Sequence, residues 1–188
     1  HISELTERMA RISSQLKIFA RRTSGETTPV PLSAAIDDSL DLLAARLRET
    51  GTEVRRSGDP SLVVRANRVQ LEQVLVNLIG NALHAVEAVP ERFIEIRTRA
   101  LDSRAMLSIR DSGPGIDLEI LNRIFDPFFT TKEEGRGLGL GLSISQRIME
   151  VMGGTLEAGN HPEGGAVFTL ILALEDTAAQ GSPIPDTV

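Results

Sequence analysis

Two carboxamides four residues apart sit on an otherwise apolar run, "LEQVLVNLIGNALHAV". Helical spacing puts Asn77 and Asn81 on one face. Leu75, Leu78, Ile79, Ala82 and Val86 define the face that meets a core. A buried amide left unpaired costs about 1–3 kcal/mol, so each must be exposed, pack on another helix or meet a ligand. A neutral Asn carbonyl oxygen suits Mg2+ when phosphates supply the charge. Further on, Asp111 ends an alternating strand and is followed by Ser-Gly-Pro-Gly-Ile. A carboxylate at a strand end can accept from an exocyclic amine such as that of adenine. Gly113 and Gly115 would let backbone pass close beside the base. The same residues also make an ordinary turn. A third cluster, Gly137, Gly139 and Gly141, stands directly before a helix. Successive free N–H groups and the helix dipole there make an anion site, with Lys132 and Arg136 adding positive charge. The Gly-Lys-Ser/Thr ending of a Walker A loop is absent, and the dinucleotide pattern G-x-G-x-x-G is not matched.

The elements that carry these groups follow from periodicity. Ile2, Leu5, Met9, Ile12, Leu16 and Phe19 recur at three- and four-residue steps, an amphipathic seam on a helix of roughly 33 Å. The seam needs cover, from this chain's own core or from a partner helix. Residues 23–29 have linker composition. A short strand then leads into a helix capped at Ser33 and ending at Gly51. Thr52–Ser57 and Leu62–Ala66 read as a strand pair around the Gly58–Pro60 turn. Asn67–Val89 is a long helix, Phe93–Arg99 and Ala105–Asp111 are strands, and Ser143–Met152 is a helix. Thr155–Ala158 and Ala166–Leu174 close the series, and 175–188 reads as a disordered tail. The order predicts one mixed sheet with helices on one face, an α/β two-layer sandwich, preceded by an N-terminal amphipathic helix.

Composition narrows the function classes. The 188 residues are 41% hydrophobic, without Trp, Tyr or Cys, so the core is aliphatic with six Phe. A net charge of −6 argues against a nucleic-acid surface. Zero cysteines remove disulfides and thiolate metal sites. No apolar run reaches the ~18 residues of a membrane span, so no membrane contact is expected of this chain.

Taken together and in order, the motifs resemble the catalytic ATP-binding domain of two-component sensor histidine kinases. Asn77-Leu-Ile-Gly-Asn81-Ala82 matches the N box and Asp111-Ser-Gly-Pro-Gly115 the first glycine box. Phe125-Asp-Pro-Phe128-Phe129-Thr130-Thr131-Lys132 matches the F box, and Gly137-Leu138-Gly139-Leu140-Gly141-Leu142-Ser143 the second glycine box. The likeness covers residues 30–174. The stretch "ELTERMARISSQLKIFARR" resembles the second helix of a dimerisation hairpin, over residues 1–22. Its wording, with the "FDPFFTTK" form, is most similar to the C4-dicarboxylate transport sensor kinases.

The resemblance implies the Bergerat (GHKL) fold, with ATP and Mg2+ as ligands. Asp111 would accept from the adenine amine, beside Gly113, Gly115, Ile116 and Ala85. Asn81, helped by Asn77, would hold Mg2+. Asp117–Arg136 would be a mobile ATP lid latched by Phe125 and Phe128. Thr130, Thr131, Lys132, Arg136 and the second glycine box, Gly137 to Leu142, would meet the phosphates. His84 is either an exposed helix residue or a phosphate contact. In the wider superfamily a water-activating Glu stands where this chain has Asn77, which cannot act as a base, so slow hydrolysis is expected. The phosphoacceptor His belongs on a first hairpin helix, and His1, His84 and His161 lack its context. The implied partners are that missing helix, a response-regulator receiver domain and a second copy held weakly through residues 1–22. The implied place is the cytoplasm, with the full-length protein anchored in the inner membrane. A non-catalytic ATP-responsive interaction module and a hydrolytic ATPase of the same fold remain the rival readings.

Overall fold

The computed structural model describes residues 26–131 and 138–175. The helix expected over 1–22, the Lys132–Gly137 stretch and the tail from 176 lie outside them. The chain enters through β1 (Thr28–Pro31), which pairs antiparallel with β3 (Val63–Ala66) as a separate two-stranded ribbon. Thr28 and Pro29, read as linker, are therefore already strand. The main sheet holds β2 (Glu53–Gly58), β4 (Phe93–Leu101), β5 (Arg104–Asp111), β7 (Ala166–Ala173) and β6 (Thr155–Asn160), in that spatial order. β2 runs parallel to β4, and the other pairings are antiparallel.

Four helices occur among the described residues: α1 (Leu32–Leu42), α2 (Ala44–Thr50), α3 (Arg68–Val86) and α4 (Gly141–Val151). α3 lies on β4 and β5, flanked by α1 and α4. The expected two-layer arrangement is thus present. The core is aliphatic, as composition requires. Leu71, Leu75, Leu78, Ile79 and Leu83 of α3 meet Ile94 and Ile96 of β4 and Leu107 and Ile109 of β5, all fully buried or nearly so. Burying one such side chain is worth about 1.5–3 kcal/mol. α3 begins where the sequence signals it. The Asn67 side chain caps the helix by accepting from the Gln70 N–H at 3.1 Å, a contribution of about 1 kcal/mol.

Four local expectations are corrected. Ser33 is not the cap of α1. Leu32 N–H donates to the Leu62 carbonyl at 2.9 Å, so the chain has turned by then and Pro31 stands in the cap position. The helix also divides at Leu43, whose N–H bonds Leu40 in a tighter turn. Thr52–Ser57 and Leu62–Ala66 do not pair. Asp59 accepts from Ser61 N–H, and its own carbonyl accepts from the Thr98 hydroxyl. That ties the turn to β4 and sends β3 out of the sheet to β1. Finally, Glu175 is ordered: its N–H donates to the Val63 carbonyl at 2.8 Å and its carboxylate pairs with Arg65 at 3.0 Å.

Candidate functional site

Strand periodicity puts Ala105, Leu107, Ile109 and Asp111 on the same, inward side of β5. Asp111 thus places a carboxylate where a core residue would stand, and it is only 3% exposed. Its Oδ1 accepts from Gly113 N–H at 2.8 Å and from Ala166 N–H at 3.2 Å. Both bonds fall on the same oxygen, so Oδ2 is the one available to a ligand. Burial pushes the carboxyl above the usual carboxylate range. The two N–H bonds, and Arg110 less strongly, oppose that rise.

The surrounding backbone is packed too tightly for side chains. A Cβ on Gly113 would lie 2.9 Å from the Ala85 Cβ and 2.9 Å from Asp111 Oδ1. Ala85, near the end of α3, therefore floors the first glycine turn. Gly115 has φ +84°, and a Cβ there would meet Asn160 Oδ1 at 2.8 Å. Gly165, φ +86°, sits against the Asp111 carbonyl with no room for a Cβ. Arg110 holds that turn from outside by donating to the Gly164 carbonyl and to Glu163, each at 3.2 Å.

α3 carries the two amides. Asn77 donates through Nδ2 to the Ser145 hydroxyl at 3.0 Å, and its Oδ1 occupies the space that a Cβ on Gly141 would need. Asn77 therefore bridges α3 to the first turns of α4. Asn81, one turn on, is half-buried. α4 starts at Gly141 with Leu140 in the cap position and no side-chain cap bond, so the cap residue does not satisfy its first N–H groups. Leu140 itself is buried in the core at 2% exposure, while Leu138 and Leu142 pack against the core from its edge. What Leu140 offers a ligand therefore comes from its backbone. No cluster of three or more His, Cys, Asp or Glu suited to a metal exists among the described residues.

His84 is tied to its own helix: Nδ1 lies 3.3 Å from Glu87. Glu87 also binds Arg46 at 3.1 Å, and the arginine first, then the histidine, hold its carboxyl below the usual range.

The expected lid is described only up to Thr131. Residues 117–129 form successive turns, with bonds such as Leu121 N–H to Asp117 and Asp126 N–H to Arg123. The anchors differ from expectation. Phe125 packs on the core, but so do Ile120, Leu121, Ile124 and Phe129. Phe128 is not a latch: it is 67% exposed, with φ +68°. Its N–H donates to the Gly139 carbonyl at 2.9 Å, and Gly139 leaves no room for a Cβ against the Phe128–Phe129 backbone. The tight approach of the two motifs turns the Phe128 ring outward. Arg123 lies 4.7 Å above the Phe129 ring. Thr130 and Thr131 are exposed beside this junction.

Sequence reasoning missed Asn160, Ser145, Arg110 and the 164–166 turn. The Gly164-Gly165 pair was a readable signal, since adjacent glycines between strands mark a special backbone. Asn160 and Ser145 offered none, because their partners lie 44 and 68 residues away.

Comparison with known proteins agrees with this geometry. Residues 66–176 match the family described as histidine kinase-, DNA gyrase B- and HSP90-like ATPase. The C4-dicarboxylate transport sensor protein DctB of Pseudomonas aeruginosa is 42% identical over 173 residues, covering 91% of this chain and 28% of that protein. The nucleotide-free catalytic domain of the histidine kinase ThkA superposes with a TM-score of 0.71 at 32% identity, over 79% of this chain and 96% of that one. The same kinase in complex with its response regulator TrrA gives 0.72 at 30% identity, covering 89% and 48%. Full-length ShkA in complex with AMPPNP gives 0.76 at 27%, covering 90% and 36%. The chain spans from 17% to 36% of the length of such curated relatives.

Proposed function

Because the chain belongs to the histidine kinase-, DNA gyrase B- and HSP90-like ATPase family, we propose that residues 30–174 are the nucleotide-binding engine of a two-component sensor kinase. It would bind MgATP and present the γ-phosphate to a histidine on another helix, for relay to a response-regulator aspartate. The observation that carries the reading is Asp111: a buried carboxylate with Oδ1 saturated by two N–H groups and Oδ2 left to accept the adenine amine. Gly113, Gly115 and Ile116 would pass beside the base, with Ala85 behind them. The uncapped start of α4, with Gly139, Gly141 and the backbone of Leu138, Leu140 and Leu142, would meet the phosphates. Thr130 and Thr131 stand beside it. Lys132, Arg136 and Gly137, from outside the described residues, complete the set by sequence resemblance. His84 is bonded to Glu87 through Nδ1, so a phosphate contact would fall to its Nε2.

The donor set suits a metal only together with a triphosphate, since the α3 amides are neutral. We assign Asn81 as the protein ligand for Mg2+, which when bound neutralises charge on the phosphates. Asn77 holds α4 beside it. Asn81→Ala is expected to weaken MgATP about tenfold while leaving adenosine nearly unchanged. Calorimetry giving equal losses for both ligands would remove the metal role.

The ShkA complex with AMPPNP and the ThkA complex with TrrA support a nucleotide and a receiver domain as partners here too. No helix of the described residues is long and apolar enough to cross a membrane. A cytoplasmic domain below a membrane-anchored sensor is the setting we propose, with residues 1–22 as the second hairpin helix and a weak self-association surface. Neither His84 nor His161 is placed as a phosphoacceptor: one sits on α3 bonded to Glu87, the other in the β6–β7 turn. Asn77 cannot take a proton from water, so slow hydrolysis is expected.

The chain should therefore bind ATP without labelling itself, and should transfer phosphate to a supplied sensor-kinase hairpin bearing the acceptor histidine. The test is a γ-labelled ATP assay with and without that hairpin. Acid-labile label on the chain alone contradicts the division of labour. ATP binding with no transfer to the hairpin would favour a non-catalytic ATP-responsive module, and rapid phosphate release would favour an ATPase.

A further inference from the structure

We propose that Asn160 is a positioning residue that sets where the loop after Asp111 runs, and through it how tightly nucleotide is held. The inference rests on the ATP-site reading above. Asn160 ends β6. Its side chain makes both halves of a two-point bond to one backbone residue. Ile116 N–H donates to Oδ1 at 2.7 Å, and Nδ2 donates to the Ile116 carbonyl at 2.6 Å. A carboxamide used this way imitates one link of an antiparallel strand pair, with both donor and acceptor satisfied.

The local backbone is shaped to receive it. Gly115, φ +84°, is the residue through which the chain reaches the amide, and a Cβ there would crowd Asn160 Oδ1. The same β6–β7 hairpin also grips the other end of the loop, since Ala166 N–H donates to Asp111 Oδ1 and Gly165 packs on the Asp111 carbonyl. The loop from Asp111 to Ile116 is thus stapled at both ends by one hairpin. Between the staples lie Gly113 and Gly115, the positions proposed to pass beside the base. Beyond Ile116 the turns of 117–129 begin. Asn160 therefore fixes the direction in which the chain enters the 117–129 turns.

Side-chain chemistry makes this testable. Asn160→Leu keeps the approximate shape and loses both bonds. Asn160→Asp keeps the acceptor for Ile116 N–H and sets a carboxylate against the Ile116 carbonyl. Both variants are expected to weaken adenosine, ADP and ATP by the same factor, about five- to tenfold, and Asn160→Leu, which removes the acceptor of the Ile116 N–H, to speed hydrogen exchange at that amide. A purely structural role would lower the melting temperature and leave affinity alone. Ser39→Ala provides that comparison: its buried hydroxyl bonds Ala35, in α1, outside the proposed pocket. Affinities are measured by calorimetry on the full 188-residue chain, well below each variant's melting temperature. Wild-type chain that binds ATP, with Asn160→Leu binding equally well, overturns the positioning role alone. Wild-type chain that does not bind ATP overturns the site reading and this role with it. Equal affinity losses in Ser39→Ala and Asn160→Leu would also sink it, by showing that the effect is general destabilisation.

Discussion

Asp111→Asn lowers ATP affinity about 10- to 100-fold and leaves the fold standing. The loss follows from exchanging a charge-assisted acceptor, worth about 1.5–3 kcal/mol, for an amide. The fold survives because an Asn carbonyl oxygen can still accept from Gly113 and Ala166. The NH2 group then faces the ligand, where it opposes the adenine amine donor to donor. pH gives an independent reading of the same group. Burial raises the Asp111 pKa above its unfolded value, so between the two values the folded chain holds a proton that the unfolded chain has lost. Asp111's contribution to stability without ligand therefore falls as pH rises through that window. ATP binding, which needs the carboxylate, grows over the same window. The slopes are opposite in sign, and Asp111→Asn removes this residue's contribution to both. Calorimetric affinity and melting temperature recorded against pH for both proteins decide the matter. An Asn variant that binds ATP like wild type removes Asp111 from the adenine role.

Gly165→Ala should be among the most damaging single methyl additions in the described residues. The residue holds φ +86°, and its new Cβ would overlap the Asp111 carbonyl oxygen. Left-handed backbone costs a non-glycine residue about 1–2 kcal/mol, and overpacking about 1–3 kcal/mol more. The sum is a large fraction of the roughly 5–15 kcal/mol that holds a domain together. A fall in melting temperature of about 10 °C is expected, with nucleotide affinity lost as Asp111 is displaced. Gly159→Ala is the control, since a Cβ there meets nothing within 4 Å. Equal melting temperatures for the two variants would show that the 164–166 turn yields freely.

Much of the frame could be read from period and punctuation. The α3 face of Leu75, Leu78, Ile79, Ala82 and Val86 is buried as its spacing implies, and the inward register of β5 carries Asp111 into the core side. These signals are local: they depend on residues two to four positions apart. Pairing partners are not local. β2 and β3 look like a hairpin because they flank a turn, and only the Asp59–Thr98 bonds reveal that the turn belongs to β4. The F box shows the same limit. Three phenylalanines look alike in sequence, yet the close approach of Gly139 turns Phe128 outward while Phe125 and Phe129 go in. Asn77 carried an ambiguity that the structure sharpens, since its Nδ2 is engaged by Ser145 on a helix still to come in the sequence.

β7, the last strand among the described residues, lies inside the sheet, hydrogen-bonded to β5 on one side and the edge strand β6 on the other. The Ala166 N–H that completes the Asp111 environment comes from this strand, 55 residues downstream. During synthesis, then, helices and the β4–β5 hairpin can form early, while the carboxylate waits, unframed, for β7. Such distant pairing is slow to find. It also makes nucleotide a reporter of completion: a nascent or clipped chain lacking β7 has no finished pocket to fill. A ligand that binds only the finished sheet draws the folding equilibrium toward it by mass action.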